Sequence, residues 1–185
     1  MSSSPTTSDG AVTRGSATCV PKARDTTSCR YARSAGDGAL VGVVVDPAHG
    51  ETFTAIRGDG AYRNGEPPRV NQRVGAAMAL VGTGFSYQRE SRHRQGELVA
   101  RLLPMVRDAR RTGSCAEDLC AVAAGRLDAF LEDELAPWYW AVGALIAREA
   151  GATVSLLREG ADKPGLLVAA PTLHRELAGL IDSPV

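Results

Sequence analysis

The segment Asp46-Pro47-Ala48-His49-Gly50 has the form of an Asp-Pro-x-Asp-Gly pattern whose second acid is replaced, so it is a candidate metal site. Carboxylate oxygens are the ligands that Mg²⁺ prefers, and the neutral imidazole of His49 is a poor ligand for so hard a cation. Aspartate before proline, with glycine soon after, is also typical of a turn. We therefore interpret Asp46 as a turn residue and His49 as an exposed loop histidine.

A second candidate is the turn Gly113-Ser114-Cys115, which stands where a helix is predicted to begin. Ser114 and Glu117 have the spacing of a capping box. The free backbone N–H groups of a helix start can bind polar oxygens of a ligand, although Ser114 could equally serve only as the helix cap. Cys115 is expected to be a small packed residue rather than a nucleophile, because no base stands near it in the sequence.

Charged residues mark two further positions. Glu132 ends a predicted strand and could contact a ligand, but the adjacent Asp133 and Glu134 leave open that it is a solvated loop acid. A basic cluster is more typical of a solvated strand edge than of a phosphate clamp, and it consists of Arg107, Arg110 and Arg111.

The elements that must position these residues alternate between strands and helices. Apolar and β-favouring runs predict strands at 40–45, 52–57, 79–85, 127–131, 153–156 and 166–170. Periodicity and caps predict helices at 92–106, 114–124 and 137–150 and from Pro171 onward. The first helix should bury Leu98, Val99, Leu102, Leu103 and Val106 on one face, and the first two strands should form a hairpin that turns at 47–50. This alternation indicates a layered α/β or α+β fold.

Composition excludes some classes of partner. The 185 residues suffice for one domain, and 21 basic against 21 acidic residues favour neither a nucleic acid nor an acidic membrane surface. We find no apolar run of membrane-spanning length and no signal sequence, so we expect a cytoplasmic protein whose four cysteines are reduced. Residues 1–30 are rich in serine and threonine and lack apolar periodicity, which predicts a disordered leader before a domain over 31–185.

Four blocks of the sequence carry a resemblance to a known family. They are GVVVDPAHGETFTAIRGDGAYRNG, RRTGSCAEDLCAVAAGRLDAFLE, PWYWAVGALIAREAGA and LLVAAP, and in order and spacing they resemble the C-terminal half of the inositol monophosphatase family. The resemblance implies an α/β/α/β/α sandwich that is truncated at its N-terminus, and a homo-oligomer. It also implies Mg²⁺-dependent hydrolysis of a phosphate monoester of inositol or a related polyol, and it makes the Asp46 segment a strand–turn–strand hairpin rather than the family's metal motif.

The same resemblance implies which site residues are present. Gly113, Ser114 and Cys115 match the family's substrate turn, and Glu132 matches a glutamate that contacts a substrate hydroxyl. The family's metal ligands are not recognisable: residues 1–30 hold neither the early-helix glutamate nor the Asp-rich segment, and Tyr139 occupies the position of the late-helix aspartate. A phenol, with a pKa of about 10, is neutral at pH 7 and brings no charge to a Mg²⁺ site.

Three hypotheses follow from these residues. The chain is a Mg²⁺-dependent phosphatase, a catalytically inactive remnant with a polyol pocket, or an interaction subunit. The unrecognised metal ligands favour the second hypothesis and make a bound Mg²⁺ doubtful. We expect Ser114 and Glu132 to lie at one rim of a pocket, and Tyr139 to point toward the place where a metal would bind.

Overall fold

Two five-stranded sheets and four α-helices make up the described part of the chain. The structure, a computed structural model, describes residues 16–22, 26–35, 38–161 and 163–182. Within these ranges, no helix has both the length and the apolar character needed to cross a membrane.

The first sheet is antiparallel, and its strands lie in sequence order. They are β1 (Ser16–Lys22), β2 (Thr26–Ala35), β3 (Gly38–Asp46), β4 (Glu51–Ile56) and β5 (Gly60–Arg63). The predicted hairpin is confirmed, because β3 pairs with β4, Val44 lies opposite Phe53, and the chain turns at 47–50. The sequence pattern does not reveal β5, since its four residues are too few to show an alternation between the flanking turns.

Two strands overlap the predicted leader. β1 and the first residues of β2 fall inside 1–30; β2 pairs with β3, and β1 pairs with β2. Inter-strand backbone hydrogen bonds can form without apolar periodicity, which is why the sequence pattern did not predict these strands. Residues 1–15 and 23–25 lie outside the described residues, and the disordered leader and the domain boundary near residue 30 stay predictions.

The second sheet is mixed, with the spatial order β7-β6-β8-β10-β9. Its strands are β6 (Leu80–Thr83), β7 (Asp108–Arg110), β8 (Ala129–Glu132), β9 (Thr153–Leu157) and β10 (Gly165–Ala169). β6 is parallel to β7 and to β8, whereas β10 is antiparallel to β8 and β9. The carboxyl ends of β6, β7 and β8 therefore meet at one edge, which is where ligands commonly bind in sheets of this kind.

The helices are α1 (Arg89–Leu102), α2 (Cys115–Ala123), α3 (Pro137–Glu149) and α4 (Pro171–Asp182). All four were expected, but the first ends four residues earlier than the predicted 92–106. Pro104 has no N–H to donate, and the chain tightens into a short 3₁₀ turn at Leu103–Met105. Leu103, predicted on the buried face, is consequently exposed, whereas Leu98 and Leu102 are buried as predicted.

The second sheet separates two cores. On β10, Leu166 and Val168 belong to a core shared with α2, α3 and the first sheet, whereas Leu167 and Ala169 belong to a core shared with α1 and α4. Side chains of a strand alternate between its faces, so a fully apolar strand serves both cores. The described layers run sheet, helices, sheet, helices, which confirms the layered α/β class and supplies four layers of the implied sandwich.

The helix pair α2 and α3 packs in close contact between the two sheets. A Cβ atom at Gly143 of α3 would lie 2.7 Å from the Cβ of Leu119 on α2, well inside van der Waals distance. Only glycine permits this approach, which fixes the two helices relative to each other and brings both of their first turns to one edge of the second sheet.

Candidate functional site

A cleft of about 470 Å³ lies at the carboxyl ends of β6, β7 and β8. Its walls come from the loops that follow these strands and from the first turns of α2 and α3, and all four predicted site residues, Gly113, Ser114, Cys115 and Glu132, line it together with Tyr139. The expected proximity of Ser114 and Glu132 is therefore observed.

The turn at the start of α2 forms one wall of the cleft. Ser114 is the N-cap, and its Oγ accepts a hydrogen bond of 3.4 Å from the backbone N–H of Glu117, as the capping-box spacing predicts. Gly113 has a φ of +94°, which a residue with a side chain rarely adopts. A hydroxyl has one donor and two acceptor sites, so the cap leaves Ser114 with capacity to contact a ligand.

Glu132 projects into the cleft through a gap left by a glycine. A Cβ atom at Gly84 would lie 2.1 Å from a carboxylate oxygen of Glu132, so any side chain at position 84 would displace the carboxylate. Burial raises the pKa of Glu132 to about 7, the nearby Asp118 adds to the rise, and Arg111 opposes it. The solvated-loop interpretation of Glu132 is thus wrong, and near neutral pH its carboxyl group can donate as well as accept a hydrogen bond.

Asp118 and Arg111 line the cleft but were not among the predicted site residues. The Asp118 side chain is buried with 1% of the residue exposed, and the hydroxyl of Thr112 donates a 2.7 Å hydrogen bond to it. Arg111 has no hydrogen-bond or ion-pair partner in the part of the chain that the structure describes. An acid in the first turn of α2 and an arginine just before it are the sequence signals that could have identified both residues.

The two acids after Glu132 are held by arginines rather than solvated. Asp133 Oδ1 accepts hydrogen bonds from Arg158 Nη2 at 2.7 Å and Nε at 3.0 Å. Glu134 forms an ion pair with Arg94, and a hydrogen bond from Ser91 together with this pair lowers the Glu134 pKa although burial opposes the change. Both carboxylates are thereby committed to neighbouring cations.

The start of α3 forms an aromatic wall of the cleft. Trp138 and Tyr139 are 64% and 45% exposed, and their ring centroids lie 6.0 Å apart with planes tilted by 47°. No side chain caps this helix, which begins at Pro137. The structure thus places Tyr139 on the cleft wall, in keeping with the direction expected from its sequence position.

Asp46, the first candidate, is the last residue of β3, directly before the turn to β4, and is not among the residues that line this cleft. Its Oδ1 accepts backbone hydrogen bonds from Ala48 at 3.1 Å and His49 at 3.3 Å, and its Oδ2 lies 2.7 Å from His49 Nδ1. Burial alone would raise the pKa of Asp46, but the contacts with His49 outweigh burial and lower it. The turn interpretation is confirmed, and His49 is exposed as predicted.

The cleft carboxylates do not form a donor set that suits Mg²⁺. Mg²⁺ requires several oxygens in near-octahedral geometry. Glu134 is ion-paired with Arg94, Asp118 accepts a hydrogen bond from Thr112, and residue 139 is a tyrosine rather than a carboxylate. Among the residues that the structure describes, no group of three or more His, Cys, Asp or Glu side chains is arranged to hold a metal ion.

Comparisons with known proteins agree with the resemblance. The model of the inositol monophosphatase family matches residues 35–183. The inositol-1-monophosphatase SuhB of Mycobacterium tuberculosis (strain ATCC 25618 / H37Rv) is 47% identical over 148 residues, which cover 77% of this chain and 51% of that protein. The chain therefore spans about half the length of the curated relatives that it matches.

Solved structures give the same result. The structure of Mycobacterium tuberculosis SuhB superposes with a TM-score of 0.76 at 40% identity, covering 84% of this chain and 63% of that one. The staphylococcal SaIMPase-II with inositol monophosphate bound superposes with a TM-score of 0.67 at 27% identity, covering 83% and 60%. Over the matched part, the fold of this chain is that of these proteins.

Proposed function

Because this chain belongs to the inositol monophosphatase family, we propose that its cleft binds inositol monophosphate or a related polyol phosphate. We propose further that the chain by itself does not hydrolyse the ester. The observation that carries the first part is the convergence of Ser114, Glu132 and Arg111 on one cleft of about 470 Å³. Family relatives named for inositol monophosphate support the choice of ligand.

In this proposal different residues of the cleft bind different parts of the ligand. The Gly113-Ser114-Cys115 turn offers the Ser114 hydroxyl and the first turn of α2 to ligand oxygens. Glu132, with its pKa of about 7, exchanges hydrogen bonds with a ring hydroxyl. Arg111, whose guanidinium makes no hydrogen bond or ion pair within the described residues, meets the phosphate.

The donor set supports the second part of the proposal. In-line displacement at phosphorus is commonly assisted by two metal ions that stabilise the attacking and leaving oxygens. Glu134 is paired with Arg94, and within the described residues the remaining acids of the cleft do not gather into a group of three or more around one metal position, so they do not suit Mg²⁺. Mg²⁺ binding, which the family implies, is therefore not proposed for this chain alone.

Binding and turnover are tested separately. Calorimetry with inositol 1-phosphate in the presence of a chelator should show saturable binding, which Arg111→Ala and Glu132→Gln each weaken about tenfold or more. Arg110→Ala and Glu159→Gln are matched controls, because Arg110 and Glu159 are exposed and do not line the cleft. Mg²⁺-dependent phosphate release by the unmodified chain, abolished by a chelator, would refute the second part.

A specific surface favours a second candidate, self-association. On the face of the first sheet opposite α3, Val43 and Val45 are only half-buried and Ile56 is 49% exposed, without a covering element among the described residues. Apolar faces of this kind are typical of protein interfaces. We propose a homo-oligomer through this face: sedimentation should show an assembly that Ile56→Asp dissociates, and a monomer at high concentration would contradict it.

A further inference from the structure

The two walls of the cleft differ in chemistry. Ser114 and Glu132 offer polar groups from the start of α2 and the end of β8, whereas Trp138 and Tyr139 present aromatic faces from the start of α3. A ligand held between these walls meets hydrogen-bonding groups on one side and an apolar surface on the other. Pockets with one apolar and one polar wall select amphipathic ligands. The aromatic area binds the apolar side of the ligand, and the polar groups fix its orientation and provide specificity.

The first turn of α3 is more exposed than the rest of the helix. Further along α3, Val142, Leu145 and Ile146 are buried in the core, but Trp138 and Tyr139 are 64% and 45% exposed. Leaving such large apolar surfaces in water is unfavourable, and a ligand that covers them recovers that free energy. The exposed first turn of α3 therefore has binding capacity that the packing of the helix does not use.

The geometry of the pair suits a rigid, flat ligand. With centroids 6.0 Å apart and planes tilted by 47°, the two rings form an open corner rather than a stack. A cyclic polyol carries its hydroxyls at the rim and C–H bonds on its faces, so one face can lie against the corner while the rim reaches Ser114 and Glu132. An open-chain polyol has no fixed C–H face and loses more conformational entropy on binding.

We propose that Trp138 and Tyr139 form an aromatic wall that receives the C–H face of a ring, so that the cleft prefers cyclic to open-chain polyol phosphates. This inference rests on the proposed binding of polyol phosphates and adds its selectivity. Tyr139 is central to it, because the tyrosine that replaces the expected aspartate provides half of the wall.

The test compares two ligands on the full chain, with a chelator present throughout. Calorimetry should show inositol 1-phosphate binding at least fivefold more tightly than glycerol 2-phosphate. Tyr139→Ala should remove most of this preference by weakening only the inositol ester, and Tyr139→Phe should retain it, since the ring rather than the hydroxyl makes the contact. Tyr62→Ala is the matched control, because Tyr62 is 44% exposed and lies outside the cleft.

The outcomes distinguish the aromatic wall from the proposal on which it rests, the binding of polyol phosphates. Equal affinity for the two esters, or equal loss of both in Tyr139→Ala, would overturn the aromatic wall and leave polyol phosphate binding intact. Failure of both esters to bind the unmodified chain would overturn the two proposals together. Trp138→Ala is the second variant, and it should reduce the preference in the same direction even if Tyr139→Ala proves poorly folded.

Discussion

Helices α2 and α3 both begin at the cleft, but their first turns differ in kind. α2 begins with a serine whose side chain caps the helix, followed by Glu117 and Asp118. α3 begins with Pro137 and no capping side chain, followed by Trp138 and Tyr139. Both helix starts are stable. A capping hydroxyl accepts a hydrogen bond from a backbone N–H at the start of α2, and proline at the first position of α3 has no backbone N–H that needs an acceptor.

The difference bears on the proposed function of the cleft. The α2 side has hydrogen-bonding groups, which are able to bind neutral hydroxyls without a metal. The α3 side has an aromatic ring at the position where the resemblance implies a carboxylate, so charge has been exchanged for apolar surface. Under the proposed function, the hydrogen bonds to the ligand come from the α2 side, whereas the carboxylate that the resemblance implies for a metal would belong to the start of α3.

The largest expected effect comes from loosening the contact between these two helices. Gly143→Ala should lower the free energy of unfolding by about 1–3 kcal/mol, because its Cβ would lie 2.7 Å from Leu119 Cβ and the packed helices cannot easily separate. Gly96→Ala in α1 is the control, since nothing lies within 4 Å of a Cβ there, and it should stabilise by about 0.5–1 kcal/mol. Urea denaturation measures both, and equal stability of the two variants would show that the helix starts are not rigidly related.

The second effect concerns the pH dependence of stability on the α2 side. The folded pKa of Glu132, about 7, is above its ordinary value of 4.5, so the folded state holds the proton more tightly than the unfolded chain does. The resulting stabilisation is fully present below pH 4.5 and is lost as the pH rises through about 7. As the pH rises from 4.5 to 8, the titration of Glu132 should lower the free energy of unfolding by on the order of 2 kcal/mol.

Glu132→Gln removes this titration and should flatten that part of the curve of unfolding free energy against pH. The comparison is with Glu159→Gln, whose exposed side chain should leave the curve unchanged. Identical curves for the wild type and Glu132→Gln would mean that Glu132 is well solvated, and the polar wall would then lose its main acid.

Sequence patterns predicted the elements of this fold better than the details of the cleft. The hairpin at Asp46 and the cap at Ser114 are local, so the residues that decide them are neighbours in the chain. The pKa of Glu132 depends on Gly84, Asp118 and Arg111, which only the pairing of β6 with β8 and the placement of α2 bring together. For the same reason the arginine partners of Asp133 and Glu134, contributed by α1 and by the loop after β9, could not be read from the run of acids.

A third, smaller effect tests the cap of α2 itself. Ser114→Ala should cost about 1 kcal/mol of stability because the N–H of Glu117 loses its acceptor, whereas Ser114→Gly should cost only a few tenths. If Ser114 also contacts the ligand, both variants should weaken inositol 1-phosphate binding by a similar factor despite their different stabilities. Binding that follows stability instead would indicate that Ser114 is only a cap.

The smallest expected effect is on the α3 side and bears on hydrolysis. Tyr139→Asp puts back the carboxylate that the resemblance places there. An acid in the first turn of a helix is favourable by about 0.3–1 kcal/mol, so the variant should fold at least as well as the parent at that position. It should still release no phosphate with Mg²⁺, since one added carboxylate cannot hold two metal ions while Glu134 remains paired with Arg94.

Phosphate release measured with Mg²⁺ and again with a chelator decides the matter. Chelator-sensitive release by Tyr139→Asp alone would mean that the exchange of aspartate for tyrosine is what silences this cleft, and that its other groups suffice to bind the metal.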